Sequence, residues 1–397
     1  MTITAFYNSG APVEEFNERW GNKIKEKFPN YTIQYIQKAK GSELADLVTN
    51  GTKIDLYIDS IGILANPKAL IDLNLQYDMS ELIKKHNIDL KKFEPTTIEA
   101  IKNFGGLYGL PVHTTTLLLY YNKDIFDKFG VPYPKDGMTW EQLADLSRRL
   151  TVTDHDGRQY IGFSTSPGHL LRMNQLSLPF VDKNSLRAVI NNENWKRFIQ
   201  TTLVNPSQTD GYKTWVQKNG KIPPGDLFIK DRTLAMYLYF LDWKTQQAKE
   251  FETMNWDFVA APTFHNLPGV GAQTYPTYFC VTSTSQYKEE TMEIIKFVTS
   301  EEFQLSLSKT GVALPVLDTD AVKKVFAQKS SFKAKNNQAA FFHKFAAPMT
   351  RTPYDSQAEG QITKLLPQIV NGLLDINTAL RTAEEEANKA IDAAKPK

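Results

Sequence analysis

The fold of this chain is predicted by residues 2–37, which read TITAFYNSGAPVEEFNERWGNKIKEKFPNYTIQYIQ. Thr2–Tyr7 is β-branched and aromatic, which predicts a strand, and Pro12 suits the first turn of a helix. Apolar residues then recur at three- and four-residue spacing up to position 28, the pattern of one helix face. Residues 31–36 alternate as a second strand. The stretch therefore predicts a β-α-β unit.

The next residues extend this unit by one more helix and strand. Residues 42–50 predict a short helix closed by Gly51, and residues 54–58 predict a strand that ends at Asp59 and Ser60. Strands that alternate with helices predict an α/β fold with a mostly parallel sheet covered on both faces. Such sheets bind ligands at the carboxyl ends of their strands. Residues 6–9 and 59–60 are therefore early site candidates.

The rest of the chain is mixed and ends in helices. Thr139 and Gln142 form a capping-box pattern that predicts a helix up to Leu150, and residues 193–203 predict another helix. Strands are predicted over residues 160–163, 234–240, 256–260 and 278–282. Helices are predicted over residues 288–299, 301–309, roughly 337–345, 358–371 and 378–393.

Composition places the chain among ordinary globular proteins. Its 397 residues predict two to three domains at about 150 residues each, and 41% hydrophobic with 23% charged residues excludes a disordered chain. The net charge of +2 favours neither nucleic acid nor an anionic membrane. The single Cys280 cannot form an internal disulfide, and we expect it to be a buried small hydrophobe.

The sequence lacks the motifs of common enzyme classes. It contains no GxSxG, GxGxxG or P-loop, and its six histidines are scattered without an HExxH pattern. We therefore expect no cofactor, no metal and no catalytic residue. A glycosidase carboxylate pair stays open as an alternative, because any two of the 44 acidic residues can meet in the fold.

The positive signal is aromatic. Aromatic residues make up 12% of the chain, and several stand beside polar residues where strands are predicted to end. An aromatic ring offers a flat apolar face that suits the C–H faces of sugar rings. Trp20, in contrast, lies on a predicted helix stripe, and we expect it in the core.

Four segments within residues 106–150 resemble one known family. They read GLYGLP at 106–111, LYYNKDIF at 119–126, GVP at 130–132 and TWEQL at 139–143. In this order they resemble the extracellular solute-binding proteins of carbohydrate ABC importers, the relatives of maltose-binding protein. Further matching segments follow at 228–236, 242–243, 262–264, 268–269, 294–304, 311–315 and 379–388, so the resemblance covers nearly the whole chain.

The resemblance implies an α/β two-lobe periplasmic-binding-protein-like fold, with three interlobe crossings and a ligand cleft between the lobes. The crossings fall near Val112, Ala261 and Pro315. The N-terminal lobe then comprises residues 1–112 plus about 262–315, and the C-terminal lobe residues 113–261 plus about 316–397.

The matching segments also nominate ligand-binding residues. All lie where strands end, beside a crossing or in an aromatic loop, and Trp243 is the preferred stacking platform. The candidates are Tyr7, Asn8, Asp59, Ser60, His113, Thr115, Ser164, Ser166, Tyr239, Asp242, Trp243, Tyr275, Tyr278, Arg351 and Tyr354, of which Arg351 and Tyr354 are assigned to the second lobe. His169 and Arg172 rank below these.

The resemblance implies a function outside the cytoplasm. The two lobes close over an oligosaccharide, and the closed form docks on the transmembrane permease subunits of an ABC importer. We expect a monomer that does not bind nucleic acid. Family members begin just before their first strand, after a signal peptide and, in Gram-positive bacteria, a lipidated Cys. We therefore expect an exported protein anchored by lipid to the outer face of the membrane.

Two alternatives remain at this stage. The same fold can bind a polyamine, a peptide or an anion, although the candidate residues include few acids and many aromatics. A glycoside-active enzyme with a sugar cleft is the other alternative.

Overall fold

The computed structural model describes residues 1–395, which divide into two compact units. The first unit comprises residues 1–114, 275–328 and 350–353, and the second comprises residues 115–274, 329–349 and 354 onward. The chain thus passes between units at 114/115, 274/275, 328/329, 349/350 and 353/354. The later breaks lie beyond the positions near 261 and 315 expected from sequence, and the short segment 350–353 makes an additional return to the first unit.

Eleven strands are described in residues 1–395. They are β1 Thr2–Tyr7, β2 Thr32–Gln37, β3 Leu56–Ser60, β4 Leu110–His113, β5 Leu117–Asn122, β6 Ile161–Thr165, β7 Leu234–Phe240, β8 Trp256–Ala260, β9 Val270–Gln273, β10 Thr277–Val281 and β11 Lys344–Ala346.

The α-helices surround these strands. They are α1 Val13–Phe16, α2 Asn22–Lys27, α3 Leu44–Thr49, α4 Ser80–Lys85, α5 Pro95–Lys102, α6 Lys123–Phe129, α7 Trp140–Leu150, α8 Pro167–Arg172, α9 Glu193–Ile199, α10 Asp210–Asn219, α11 Asp226–Ile229, α12 Trp243–Gln246, α13 Ala248–Glu252, α14 Lys288–Val298, α15 Glu301–Thr310, α16 Asp320–Lys324, α17 Asp355–Val370 and α18 Ile376–Ala394. Asn17–Gly21 and Gln200–Val204 are π-helical, and Leu90–Lys92, Asn205–Ser207 and Asn337–Phe341 are 3₁₀ turns.

The first unit is built on a five-stranded sheet in the order β2-β1-β3-β10-β4. Because side chains alternate across a strand, each face of this sheet has its own core. Ala5, Ile58 and Phe279 belong to one core cluster, whereas Tyr57 and Cys280 belong to the other. Burial on both faces fits the continuous burial of β10, whereas the edge strand β2 has exposed polar positions. Cys280 is fully buried, as predicted.

Strand direction departs from the expected mostly parallel sheet. In the first unit β1 runs parallel to β2 and β3, but β10 is antiparallel to both β3 and β4. The main sheet of the second unit has the order β6-β7-β5-β8, and β5 is antiparallel to β7 and β8. The parallel arrangement predicted from the opening residues is confirmed for β1, β2 and β3, whereas the directions of β10 and of the second-unit strands depend on long-range pairing that no local pattern reports.

Several local predictions are confirmed, and one is wrong. The Thr139–Gln142 capping box opens α7, and strands β7 and β8 have the predicted bounds. The helix predicted over residues 337–345 is instead a 3₁₀ turn followed by β11, which pairs in parallel with β9. The apolar spacing of this short stretch fits a helix or a strand, and pairing with β9 decides between them.

Candidate functional site

The strand pairing gathers four polar residues at one edge of the first-unit sheet. Tyr7 of β1 is level with Ile58 of β3, so the residues that follow them, Asn8 and Asp59, are neighbours. Thr277, the first residue of β10, pairs with Ser60 on one side and His113 on the other. The sequence therefore placed Asn8, Asp59 and Ser60 correctly at strand ends, and the sheet brings them to the same edge as His113, which was nominated for its place beside a crossing.

Asp59 is the centre of this edge. It is 1% exposed, and its carboxylate accepts hydrogen bonds from the Asn8 amide (2.8 Å), the Tyr57 hydroxyl (2.5 Å) and the Ser60 backbone N–H (2.8 Å). Burial raises the pKa of Asp59 to about 6, and the three hydrogen bonds oppose this rise. Tyr57 lies two residues before Asp59 on the same side of β3, a relationship that the alternation of a strand could have indicated.

His113 and Tyr7 pack around Trp20. The His113 ring stacks on Trp20 with centroids 5.5 Å apart and an interplanar angle of 15°, and Tyr7 meets Trp20 edge-on at 5.8 Å. Trp20 is fully buried, as predicted. Burial, with a smaller contribution from Arg19, lowers the pKa of His113 to about 3, so its imidazole is neutral at pH 7. Burial raises the pKa of Tyr7.

Tyr275 and Arg351 form a second group in the first unit. The Arg351 guanidinium lies 6.0 Å from the centroid of the Tyr275 ring. The same ring covers the backbone at Gly62, where an added Cβ would lie 2.0 Å from the Tyr275 hydroxyl oxygen. The segment 350–353 belongs to the first unit, so the assignment of Arg351 to the second lobe is wrong. Sequence position alone could not reveal this return of the chain.

Tyr278 has different surroundings from Tyr275. It is fully buried in the core cluster of Tyr57 and Cys280, and its hydroxyl donates to the Thr97 carbonyl at 2.5 Å. Its phenol group is thus satisfied within the first unit.

In the second unit, Ser166 and Tyr239 meet His169. The Ser166 hydroxyl lies 2.7 Å from His169 Nδ1, and the imidazole contacts the rings of Tyr239 and Phe240 at 5.3 and 4.6 Å. Burial, with a smaller contribution from Arg172, lowers the pKa of His169 to about 4. The structure therefore joins His169, which the sequence ranked lower, to two preferred candidates.

Trp243 is packed among aromatic rings. It is 6% exposed, and ring centroids of Tyr237, Tyr120 and Tyr239 lie 5.0, 5.2 and 5.5 Å away. Asp242 precedes it, and its Oδ2 accepts a 2.8 Å hydrogen bond from the Gln246 amide. Its Oδ1 is buried without a hydrogen-bond partner in the described chain.

The remaining candidates also lie in the second unit. Ser164 is 1% exposed and donates to the Pro223 carbonyl at 2.5 Å, so its hydroxyl is satisfied internally. Thr115 opens the unit, and its Oγ1 is buried with no hydrogen-bond partner among residues 1–395. Tyr354 is 8% exposed and immediately precedes α17.

The described residues include no group of three or more His, Cys, Asp or Glu side chains that could hold a metal ion. Within the same 395 residues, no helix is both long enough and apolar enough to cross a bilayer.

Two discontinuous α/β units, the first with polar residues at the ends of its strands, have the layout of α/β folds that bind ligands at strand ends. The family of bacterial extracellular solute-binding proteins matches residues 11–334, and the chain belongs to this family.

Comparisons with individual proteins agree with this assignment. The chain is similar to an ABC substrate-binding protein of Listeria monocytogenes solved in complex with cycloalternan, at a TM-score of 0.76 and 18% identity, over 98% of this chain and 99% of that one. This likeness shows the two-lobe periplasmic-binding-protein-like fold.

Two curated relatives match shorter stretches. The arabinooligosaccharide-binding protein of Bacillus subtilis is 28% identical over 116 residues, which are 29% of this chain and 26% of the relative. The sn-glycerol-3-phosphate-binding periplasmic protein of Salmonella paratyphi A is 30% identical over 105 residues, 25% of this chain and 23% of the relative. The chain thus spans about a quarter of the length of each.

Proposed function

We propose that this protein binds an oligosaccharide and delivers it to the permease of an ABC importer. The observation that carries the proposal is the edge of the first-unit sheet, where Asn8, Asp59 and His113 gather beside the end of β3. These side chains offer hydrogen-bond donors and acceptors, and the imidazole is neutral at pH 7. Such a set suits a neutral polyhydroxyl ligand, whose buried hydroxyls must all be paired.

The aromatic candidates supply the apolar surfaces for binding the sugar. Tyr275 in the first unit and Tyr239 in the second are both partly exposed, and each ring packs against a neighbour, the Arg351 guanidinium and the His169 imidazole respectively. A ring held in this way loses little conformational freedom when it stacks on a sugar. The solute-binding relatives whose names mention arabinooligosaccharide and cycloalternan support an oligosaccharide as the ligand class.

The mechanism in this proposal is lobe closure. The sugar lies between the two units, stabilises their closed arrangement because it contacts both, and the closed form docks on the permease. The protein acts as a monomer without catalysis, bound by a lipid anchor to the outer face of the cell membrane. The family description as extracellular supports this location.

An anionic ligand is the second candidate. One relative is named for sn-glycerol-3-phosphate, and Arg351 supplies a guanidinium among the candidate residues. Guanidinium groups bind phosphate through paired hydrogen bonds. One arginine and two neutral histidines among the candidate residues favour this ligand less than a sugar.

Thermal unfolding against a ligand panel tests the proposal. The panel contains arabino-oligosaccharides, cycloalternan and maltodextrins, with sn-glycerol 3-phosphate, spermidine and a peptide as the competing classes. A ligand at a hundredfold excess over its Kd stabilises the folded state by about 2.7 kcal/mol, which raises Tm by several degrees. A shift with one glycan class alone supports the proposal, and a shift with glycerol phosphate alone replaces it.

Matched variants locate the site. Tyr275→Ala and Tyr239→Ala should each weaken sugar binding at least tenfold in calorimetric titration, while Tyr31→Ala and Tyr133→Ala, at surface tyrosines bonded to Glu293 and Asp127, should not. Small-angle scattering should show a smaller radius of gyration with the sugar. Release of reducing sugar from the bound glycan would contradict the absence of catalysis.

A further inference from the structure

Lys244 is a lysine buried inside the aromatic cluster of the second unit. Its side chain is fully buried, and the ammonium lies 5.5 Å from the centroid of the Phe258 ring. Transfer of an ammonium group out of water is costly, so a buried lysine persists only where compensating contacts hold it. None of the nominated solute contacts includes this residue, although it directly follows Trp243.

The ammonium is directed at the backbone of the loop that carries the candidate side chains. Lys244 Nζ donates a 2.8 Å hydrogen bond to the Leu241 carbonyl. The Tyr120 hydroxyl lies 2.9 Å from the same carbonyl oxygen and 2.9 Å from that of Phe240. The backbone N–H of the same residue, Leu241, donates a 3.0 Å hydrogen bond to the Thr116 carbonyl. Leu241 is thus the residue at which the loop backbone is held, through hydrogen bonds at both its carbonyl and its N–H.

Charge at this position also involves Asp242. The Asp242 carboxylate raises the pKa of Lys244, whereas burial, the larger effect, lowers it to about 8. The Tyr120 phenol is a second ionisable group near the ammonium, and burial holds its pKa well above its usual range. The charge of Lys244 therefore changes as the pH passes through about 8.

We infer that Lys244 is a positioning residue for solute binding: its ammonium holds the Leu241 carbonyl and thereby sets the loop from Tyr239 to Trp243. The inference rests on the proposed function only for its effect on affinity. The restraint on the loop is a property of the unliganded protein and can be measured without a ligand.

Hydrogen exchange tests the restraint on the loop. In Lys244→Met, which replaces the ammonium with an apolar chain of similar length, amides of residues 240–243 should exchange at least tenfold faster, because the charge-assisted hydrogen bond is lost. The rest of the chain should be unchanged. The matched control is Lys249→Met, at an exposed lysine of α13, which should exchange like the wild type. Equal exchange of residues 240–243 in wild type and Lys244→Met would overturn the inference.

The pH profile of affinity tests the consequence for binding. Wild-type affinity for the sugar identified in the panel should fall about tenfold as pH rises through about 8, and Lys244→Met should bind about tenfold more weakly with no such fall. Lys244→Gln keeps a neutral donor, so it should restore slow exchange without restoring the pH profile. If Lys244→Met has the affinity and the pH profile of the wild type, the positioning role is overturned. If the wild type binds no saccharide, the proposed function is overturned, and hydrogen exchange alone then decides whether Lys244 restrains the loop.

Discussion

The side-chain amide of Asn8 donates a 2.8 Å hydrogen bond to Oδ2 of Asp59, which joins residues at the carboxyl ends of two neighbouring strands. Both side chains are buried, and Tyr57 shares the same carboxylate oxygen. The bond orients the Asp59 carboxylate at the sheet edge while burial disfavours its charge. The proposed ligand contacts and the pH dependence of stability therefore involve the same pair.

Asp59→Asn should remove a pH dependence of the stability between pH 4 and 7. The pKa of Asp59 is raised in the folded state to about 6, so its stabilising contribution is fully present below about pH 4 and is lost as pH rises through about 6. The variant should lose this part of the pH dependence, which amounts to up to about 3 kcal/mol between pH 4 and 7. Urea unfolding over this pH range measures it. Asp320→Asn, at an exposed position of the first unit, is the control, and an unchanged slope in Asp59→Asn would contradict the prediction.

His113 should make the protein less stable in acid, which is opposite to the effect of Asp59. Its pKa is lowered to about 3 in the folded state, so its contribution is present above the unfolded pKa of about 6.5 and is lost as pH falls below it. The loss amounts to at most about 1.4 kcal/mol for each pH unit. His113→Phe, which can keep the stack on Trp20, should reduce the fall in urea midpoint between pH 6.5 and 4.5. An identical fall in the variant would refute this assignment.

Trp243→Ala should unfold the second unit more readily, in addition to any effect on binding. The indole is 6% exposed and touches Tyr120, Tyr237 and Phe251, so its removal leaves a large cavity. We expect a loss of about 3–5 kcal/mol in chemical unfolding. Trp215→Ala, at a half-buried tryptophan of α10, should cost less. Equal losses would show that the cluster does not depend on Trp243.

Gly62→Ala should weaken sugar binding through Tyr275. The new Cβ would lie 2.0 Å from the tyrosine hydroxyl oxygen and 2.6 Å from the ring carbon that bears it, so the ring must move. We expect about a tenfold loss of affinity in calorimetric titration. Gly360→Ala, where no neighbouring atom lies within 4 Å of the new Cβ, should bind normally and gain roughly 0.5–1 kcal/mol of stability from the helix. Normal binding by Gly62→Ala would argue against Tyr275 as a contact.

Local sequence patterns were sufficient to predict where several residues of the candidate site lie in the fold. Asn8 and Asp59 follow stretches whose alternation and β-branched residues predict strands, and the carboxyl ends of neighbouring parallel strands must lie together. The spacing of the helix stripe likewise placed Trp20 in the core. The carboxylate's hydrogen bond from Tyr57, by contrast, required the rotamers of both side chains, which spacing does not determine.

The sequence by itself determined the α/β class, the strand ends of the first sheet and the buried state of Cys280 and Trp20, because these follow from periodicity within a few residues. Only the tertiary structure decided that β10 runs antiparallel, that Arg351 joins the first unit and that Lys244 is buried. Each of these depends on contacts between segments far apart in sequence. The energies of such contacts outweigh local conformational preferences, and local sequence patterns do not report them.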